Sequence, residues 1–151
     1  MFKGLRFKLV TPERVVLEKD LVSLSCPTTL GEITILPNHT ELVATLVAGE
    51  LHAKTDGEDF YLHVAGGFVE VRPNSEVIVL ADAAEHHFEI DTKRAEESVE
   101  RAKKAMTEQT LSEEEYAKVA ASLERSLSRI RVQRKHSNRK APITAEGIFK
   151  Q

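Results

Sequence analysis

Residues 89–95, EIDTKRA, set a carboxylate and a guanidinium three positions apart, Asp91 and Arg94, where the chain changes character. Asp91 is a natural helix cap, because its short side chain accepts from the free N–H groups of a first turn. An Asp and an Arg at a joint are equally suited to holding a polar ligand, one accepting and one donating. Both readings are open at this point. Further on, seven basic residues (125, 129, 131, 134, 135, 139, 140) follow one another with no acidic residue between them. The macrodipole favours cations near a helix end, and Glu113 to Glu115 suit its start. Seven cations exceed that need and predict a basic helix end that docks onto an acidic surface. Nucleic acid is the rival partner, in the role of a basic-helix adaptor. The stretch has no Phe, Tyr or Trp for stacking, and residues 1–84 hold 12 acidic against 7 basic residues, so no nucleic acid is expected.

No catalytic constellation has convincing spacing. His86 and His87 are adjacent, so their side chains point apart, and no third ligand stands near them; no metal site is expected. His52 and His63 alternate with apolar residues and read as outer-face strand positions. Neither a GxxxxGK[ST] loop nor a GxGxxG turn occurs, and Gly66-Gly67 reads as a tight strand junction. A non-catalytic protein is expected, with no required cofactor.

The elements that must position these residues follow two different periods. In residues 1–85, Leu5, Phe7 and Leu9 alternate with Arg6, Lys8 and Val10, Phe60, Leu62 and Val64 with Tyr61 and His63, and Val69 and Val71 with Phe68 and Glu70. Period two puts one set of side chains into a core. Turn signals at Thr11-Pro12, Pro37-Asn38, Asp56-Gly57, Gly66-Gly67 and Pro73-Asn74 cut the region into about eight to ten short strands, a sandwich or flattened barrel. In residues 86–137 the period is helical. Ala95, Val99, Ala102 and Met106 form one stripe; Tyr116, Val119, Ala120, Leu123, Leu127 and Ile130 form another. Ser112 with Glu115 is a capping box, so one helix ends near 107–109 and a second starts near 113. The class is α+β: an N-terminal β-sandwich, then a C-terminal antiparallel two-helix hairpin. Its alanine-rich seam buries little area, which predicts a mobile element. Residues 138–151 read as a tail, with Ile148 and Phe149 as a candidate anchor.

Composition fits a soluble domain: 151 residues, 41% hydrophobic, 30% charged, net charge −3. The single cysteine, Cys26, excludes a disulfide within the chain and reads as a small buried filler. No run approaches the roughly 20 apolar residues of a spanning helix.

Two segments carry a resemblance. GEITILPNHTELVATLVAGEL (31–51) and AGGFVEVRPNSEVIVLADAAE (65–85) resemble the ε subunit of the F-type ATP synthase, called δ in mitochondria. The matches keep order and spacing, the helical hairpin completes them, and together they cover roughly residues 4–136. The resemblance implies a rotor subunit in the central stalk, bound to the γ subunit and the c-ring and coupling proton-driven rotation to ATP synthesis. It implies a place peripheral to the membrane, on the cytoplasmic face of the bacterial cell membrane or at a plastid thylakoid. Glu32 and His39 match positions that face the c-ring, although Thr34 stands where many members have glycine. In bacterial members the hairpin extends along γ, and its basic second helix meets an acidic segment of a β subunit and blocks hydrolysis. Arg125, Arg129, Arg131, Arg134 and Lys135 are the residues that match this contact.

The resemblance also bears on EIDTKRA. Some bacterial members bind ATP as a regulatory ligand through I/L-D-x-x-R-A. Ile90, Asp91, Arg94 and Ala95 fit that motif, and Glu85 and Arg101 match in position. Arg94 and Arg101 would meet phosphates, and Glu85 and Asp91 would accept from adenine or ribose. Arg125 and Arg129 have the i, i+4 relation of the second-helix arginines, one residue further from Arg94 than the family's spacing. A free-standing ATP-sensing module is the alternative from another class.

Overall fold

A computed structural model of the chain describes residues 4–141; the tail reading, with Ile148 and Phe149, falls outside them. Eight strands precede two helices. They are β1 (Leu5–Val10), β2 (Val15–Leu21), β3 (Ser23–Thr28), β4 (Gly31–Ile35), β5 (Leu42–Lys54), β6 (Asp59–Arg72), β7 (Glu76–Ala81) and β8 (Ala84–His86). The helices are α1 (Thr92–Glu108) and α2 (Glu113–His136). Hydrogen bonds link the strands in the order β2-β1-β7-β6-β5-β3-β4, with β8 added to β6. All pairings are antiparallel except β1 with β7. The sheet folds over a core that includes Leu5, Phe7, Leu9, Leu51, Phe60, Leu62, Val69, Val71, Val77 and Val79. These are the positions that period two assigns to the inside. Cys26 lies in the same core, where burial and then the Glu32 carboxylate push its thiol up to about 12.

The long strands β5 and β6 hold the architecture together. Their ladder runs from Lys54↔Asp59 to Ala48↔Ala65, skips Val47 and Gly66, and resumes from Leu46↔Gly67 to Leu42↔Val71. Across the skip the inside set of β6 changes from Phe60, Leu62 and Val64 to Val69 and Val71, so the alternation reverses phase. Gly66 and Gly67 make the reversal, with φ of 115° and 121° that side chains rarely adopt. A Cβ on Gly67 would stand 2.0 Å from the Leu80 carbonyl oxygen. The glycine pair is thus a bend inside one continuous strand rather than a junction between two.

Both helices begin as their residues predict. The Asp91 carboxylate accepts from the Arg94 backbone N–H at 3.1 Å. Ser112 and Glu115 exchange the two bonds of a capping box, each 3.2 Å. Ala95, Val99 and Ile130 form the hairpin's own small core, with Leu123 and Leu127 against it. Tyr116, placed in the second stripe by its spacing, is 48% exposed instead; it sits in the first turn of α2, beyond the reach of that core.

Candidate functional site

The hairpin lies on the outer face of β5 and β6. His63 projects from that face, as its alternation requires, yet it is 2% exposed because α2 covers it. Three clasps hold the hairpin down. In the first, the Arg129 guanidinium donates to both Glu85 oxygens, from Nε and, at 3.3 Å, from Nη2. In the second, Lys135 Nζ donates to Glu50 at 2.9 Å, and His136 Nε2 donates to the same carboxylate. Arg139 Nε donates to His136 Nδ1 at 3.1 Å, which fixes the neutral tautomer with its proton on Nε2. The third is a stack: the Tyr61 ring lies 3.9 Å from His136 on one side and 4.5 Å from His52 on the other, by centroids.

These contacts shift the buried groups. Burial alone would raise the Glu50 carboxyl, but hydrogen bonds from Lys135 and His136 carry it below its ordinary value. Burial lowers His136, only partly offset by Glu50. His63 is pushed down to about 4 by burial and then by the Arg129 and Arg131 charges. Its Nε2 is buried without a hydrogen-bond partner, an arrangement that costs about 1–3 kcal/mol unless a ligand or solvent group fills it.

The basic run is largely paired in space: one acidic partner, Glu124, adjoins it in sequence, and the others come from distant parts of the chain. Arg129 pairs with Glu85, Arg131 with Glu124, Arg134 with Glu96 and Lys135 with Glu50. With the hairpin docked, the acidic surface for most of the run is the chain's own sandwich and helices. Arg94 and Arg125 have no partner for their guanidinium groups among the described residues.

A cavity of about 380 Å³ opens at the joint, lined by His63, Ala65, Ala83, Ala84, Glu85, Ser98, Ser122, Arg125, Ser126 and Arg129. It brings together three residues singled out from the sequence: Glu85, Arg125 and Arg129. Ile90 and Ala95 are buried nearby and serve packing, and Asp91 is engaged as the cap of α1. Arg94 and Arg101 are exposed on α1, one turn to either side of Ser98, and Arg101 Nη2 donates to Ser98 Oγ at 2.9 Å. Neither arginine lines the cavity, although Ser98 does. A cleft with the Arg125 guanidinium, the Arg129–Glu85 ion pair, three serine hydroxyls and an apolar wall of alanines suits a ligand with an anionic end and a flat apolar end.

His63 and the three serines escape a sequence reading. His63 stands opposite Glu85 in the β6–β8 ladder, and only that register brings them together. Glu32 and His39, by contrast, form no cluster. Glu32 is the exposed second residue of β4, and His39 lies beyond the end of that strand, half-buried, with Nδ1 2.7 Å from the Thr40 carbonyl oxygen.

One further surface stands out. Phe68 of β6 and Leu80 of β7 are paired across the ladder on the outer face beyond the bend, 54% and 55% exposed, and Val43 of β5 is 68% exposed on the same face. The hairpin does not cover this strip. Among the described residues no helix is long and apolar enough to cross a membrane, and no cluster of metal-ligating side chains occurs.

Known proteins resemble the chain along most of its length. Residues 4–87 match the family described as ATP synthase, Delta/Epsilon chain, beta-sandwich domain. Residues 89–133 match its companion, the long alpha-helix domain. An ATP synthase epsilon chain of Dehalococcoides mccartyi is 42% identical over 135 residues, 87% of this chain and 96% of that one. The epsilon chain of Herpetosiphon aurantiacus is 38% identical over 135 residues, 89% of this chain and 98% of that one. In fold, the chain is similar to one from the Euglena gracilis mitochondrial ATP synthase, OSCP/F1/c-ring, with TM-score 0.73 and 21% identity over 85% of this chain and 80% of that one.

Proposed function

The chain belongs to the ATP synthase delta/epsilon family, and from that membership we propose that it is a non-catalytic central-stalk subunit of a proton-translocating F-type ATP synthase. It binds the γ subunit and the c-ring and couples ring rotation to ATP synthesis. Through that complex it is peripheral to the membrane, on its cytoplasmic face. The observation that carries this reading is the uncovered strip of Val43, Phe68 and Leu80, three exposed apolar side chains on one outer face of β5, β6 and β7. Large exposed apolar side chains in one patch mark an interface, and the γ subunit is the partner we assign to it. The exposed Glu32 and the half-buried His39 face the polar loops of the c-ring in this reading.

The hairpin is the regulatory part. Arg129, Arg131, Arg134 and Lys135 hold carboxylates of their own chain when the hairpin is docked. On release they become free, together with Arg125, to meet an acidic segment of a β subunit and block hydrolysis. The two states compete for the same cations, so a modest ligand affinity for one of them shifts the balance. ATP is the ligand we assign to the joint, with phosphates toward Arg125, Arg129 and the nearby Arg94 and Arg101, favouring the docked state.

Retention on immobilised γ subunit tests the stalk reading. The wild-type chain is expected to be retained, and Phe68→Glu with Leu80→Glu to be lost while the circular dichroism spectrum stays unchanged. A folded wild-type chain that γ does not retain refutes it; if such a chain still bound ATP, a free-standing ATP sensor would stand in its place.

A further inference from the structure

We propose that His63 is a ligand-binding residue of the joint cavity, contacting the base end of the nucleotide beside Glu85. The inference rests on the reading of ATP as the ligand there, and it adds a contact from the sandwich to a site otherwise read from helix residues. Three observations carry it. His63 lines the cavity and is 2% exposed. Its Nε2 is buried with no hydrogen-bond partner; His52 Nε2 shares that state, but His63 is the one of the two that lines the joint cavity. The β6–β8 ladder sets His63 directly across from Glu85, and paired residues present their side chains on the same face of the sheet.

The cavity's chemistry sorts its two ends. Arg125 and Arg129, with the serines of the two helices, make a cationic and hydroxyl-rich end on the helices. The end formed by the sandwich is His63 and Glu85 with Ala65, Ala83 and Ala84, and Glu85 holds Arg129 where the two ends meet. Burial and the charges of Arg129 and Arg131 hold the His63 imidazole down to about 4, so at neutral pH it is an uncharged ring. Such a ring does not attract phosphate, but it does supply a hydrogen bond and a flat face to a heteroaromatic base. Because His63 belongs to the sandwich and the arginines to the hairpin, a ligand touching both binds only the docked state.

Isothermal titration of the full chain with ATP, and separately with inorganic tripolyphosphate, tests this. The proteins are wild type, His63→Leu and His63→Gln, each with hairpin docking checked by a label pair without ligand. His63→Leu is expected to weaken ATP at least about tenfold and to leave tripolyphosphate unchanged. His63→Gln, which keeps a hydrogen-bonding group, is expected to stay within about threefold of wild type. Equal ATP affinity in wild type and His63→Leu overturns the role of His63 and leaves the nucleotide reading standing. Equal loss of ATP and tripolyphosphate overturns the base-end placement. No ATP binding by the folded, docked wild type overturns the nucleotide reading and this inference with it.

Discussion

Acid should release the hairpin, and the His63 share of that effect follows from the structure. The imidazole is neutral under α2, held down to about 4, and regains its ordinary value near 6.5 once the hairpin leaves. The docked state has the depressed value, so its stability is complete above pH 6.5 and is lost as pH falls from there toward 4. At pH 5.5 a free imidazole is protonated about ten to one, whereas the docked one stays almost wholly neutral. Relative to pH 7.5, the released-to-docked ratio rises about tenfold, or about 1.4 kcal/mol, with a ceiling of about 3 kcal/mol below pH 4. The charged groups facing His63 are Arg129 and Arg131 of α2, whose like charge opposes protonation, and its ladder neighbours Glu50 and Glu85. Spin labels on Glu41→Cys and Lys118→Cys, with pulsed distance measurements from pH 7.5 to 5.5, report the two populations. His63→Leu should remove about tenfold of the change and leave only what His136 contributes in the same direction. Identical pH profiles in the two proteins would refute the reasoning, as would an NMR titration of docked His63 with an ordinary midpoint near 6.5.

Other perturbations probe other parts. Glu85→Gln should weaken docking by about 1–2 kcal/mol, because Arg129 loses a charged acceptor at a partly buried site, and the same label pair reads it. Asp91→Ala should cost about 1 kcal/mol of α1 stability through the lost cap, seen as faster amide exchange in residues 92–95. Gly67→Ala should cost about 3 kcal/mol or more, or prevent folding, since its Cβ would meet the Leu80 carbonyl at 2.0 Å; a variant that melts within a few degrees of wild type would contradict the close approach.

Legibility in the sequence followed the range of the interaction. Leu5-Phe7-Leu9 and Phe60-Leu62-Val64 announce buried strand faces because alternation is local. Asp91 and Ser112 announce helix starts because a cap bonds within three residues. The Gly66-Gly67 pair was visible as special, but the phase reversal was not, since it needs both strands of the ladder. The basic run looked unpaired because most of its partners lie far away in the chain: Glu85 is 44 residues from Arg129, and Glu50 is 85 from Lys135. At the joint, Glu85, Arg125 and Arg129 were found through a resemblance. His63 was passed over as a surface side chain, and nothing local reveals that a helix 60 residues later will lie on top of it.

The bend at Gly66-Gly67 has a mechanical corollary. One pair of strands offers two outward surfaces, separated by the reversal: Glu50 and Tyr61 clasp the hairpin and His63 lies beneath it, while Val43 and Phe68 stay bare. In the function proposed above, a brake and the shaft it acts on would be mounted on the same beam but gripped at different ends. The hairpin would then let go of its end without loosening the other, so the proposed inhibition and release would not need to detach the subunit from its complex.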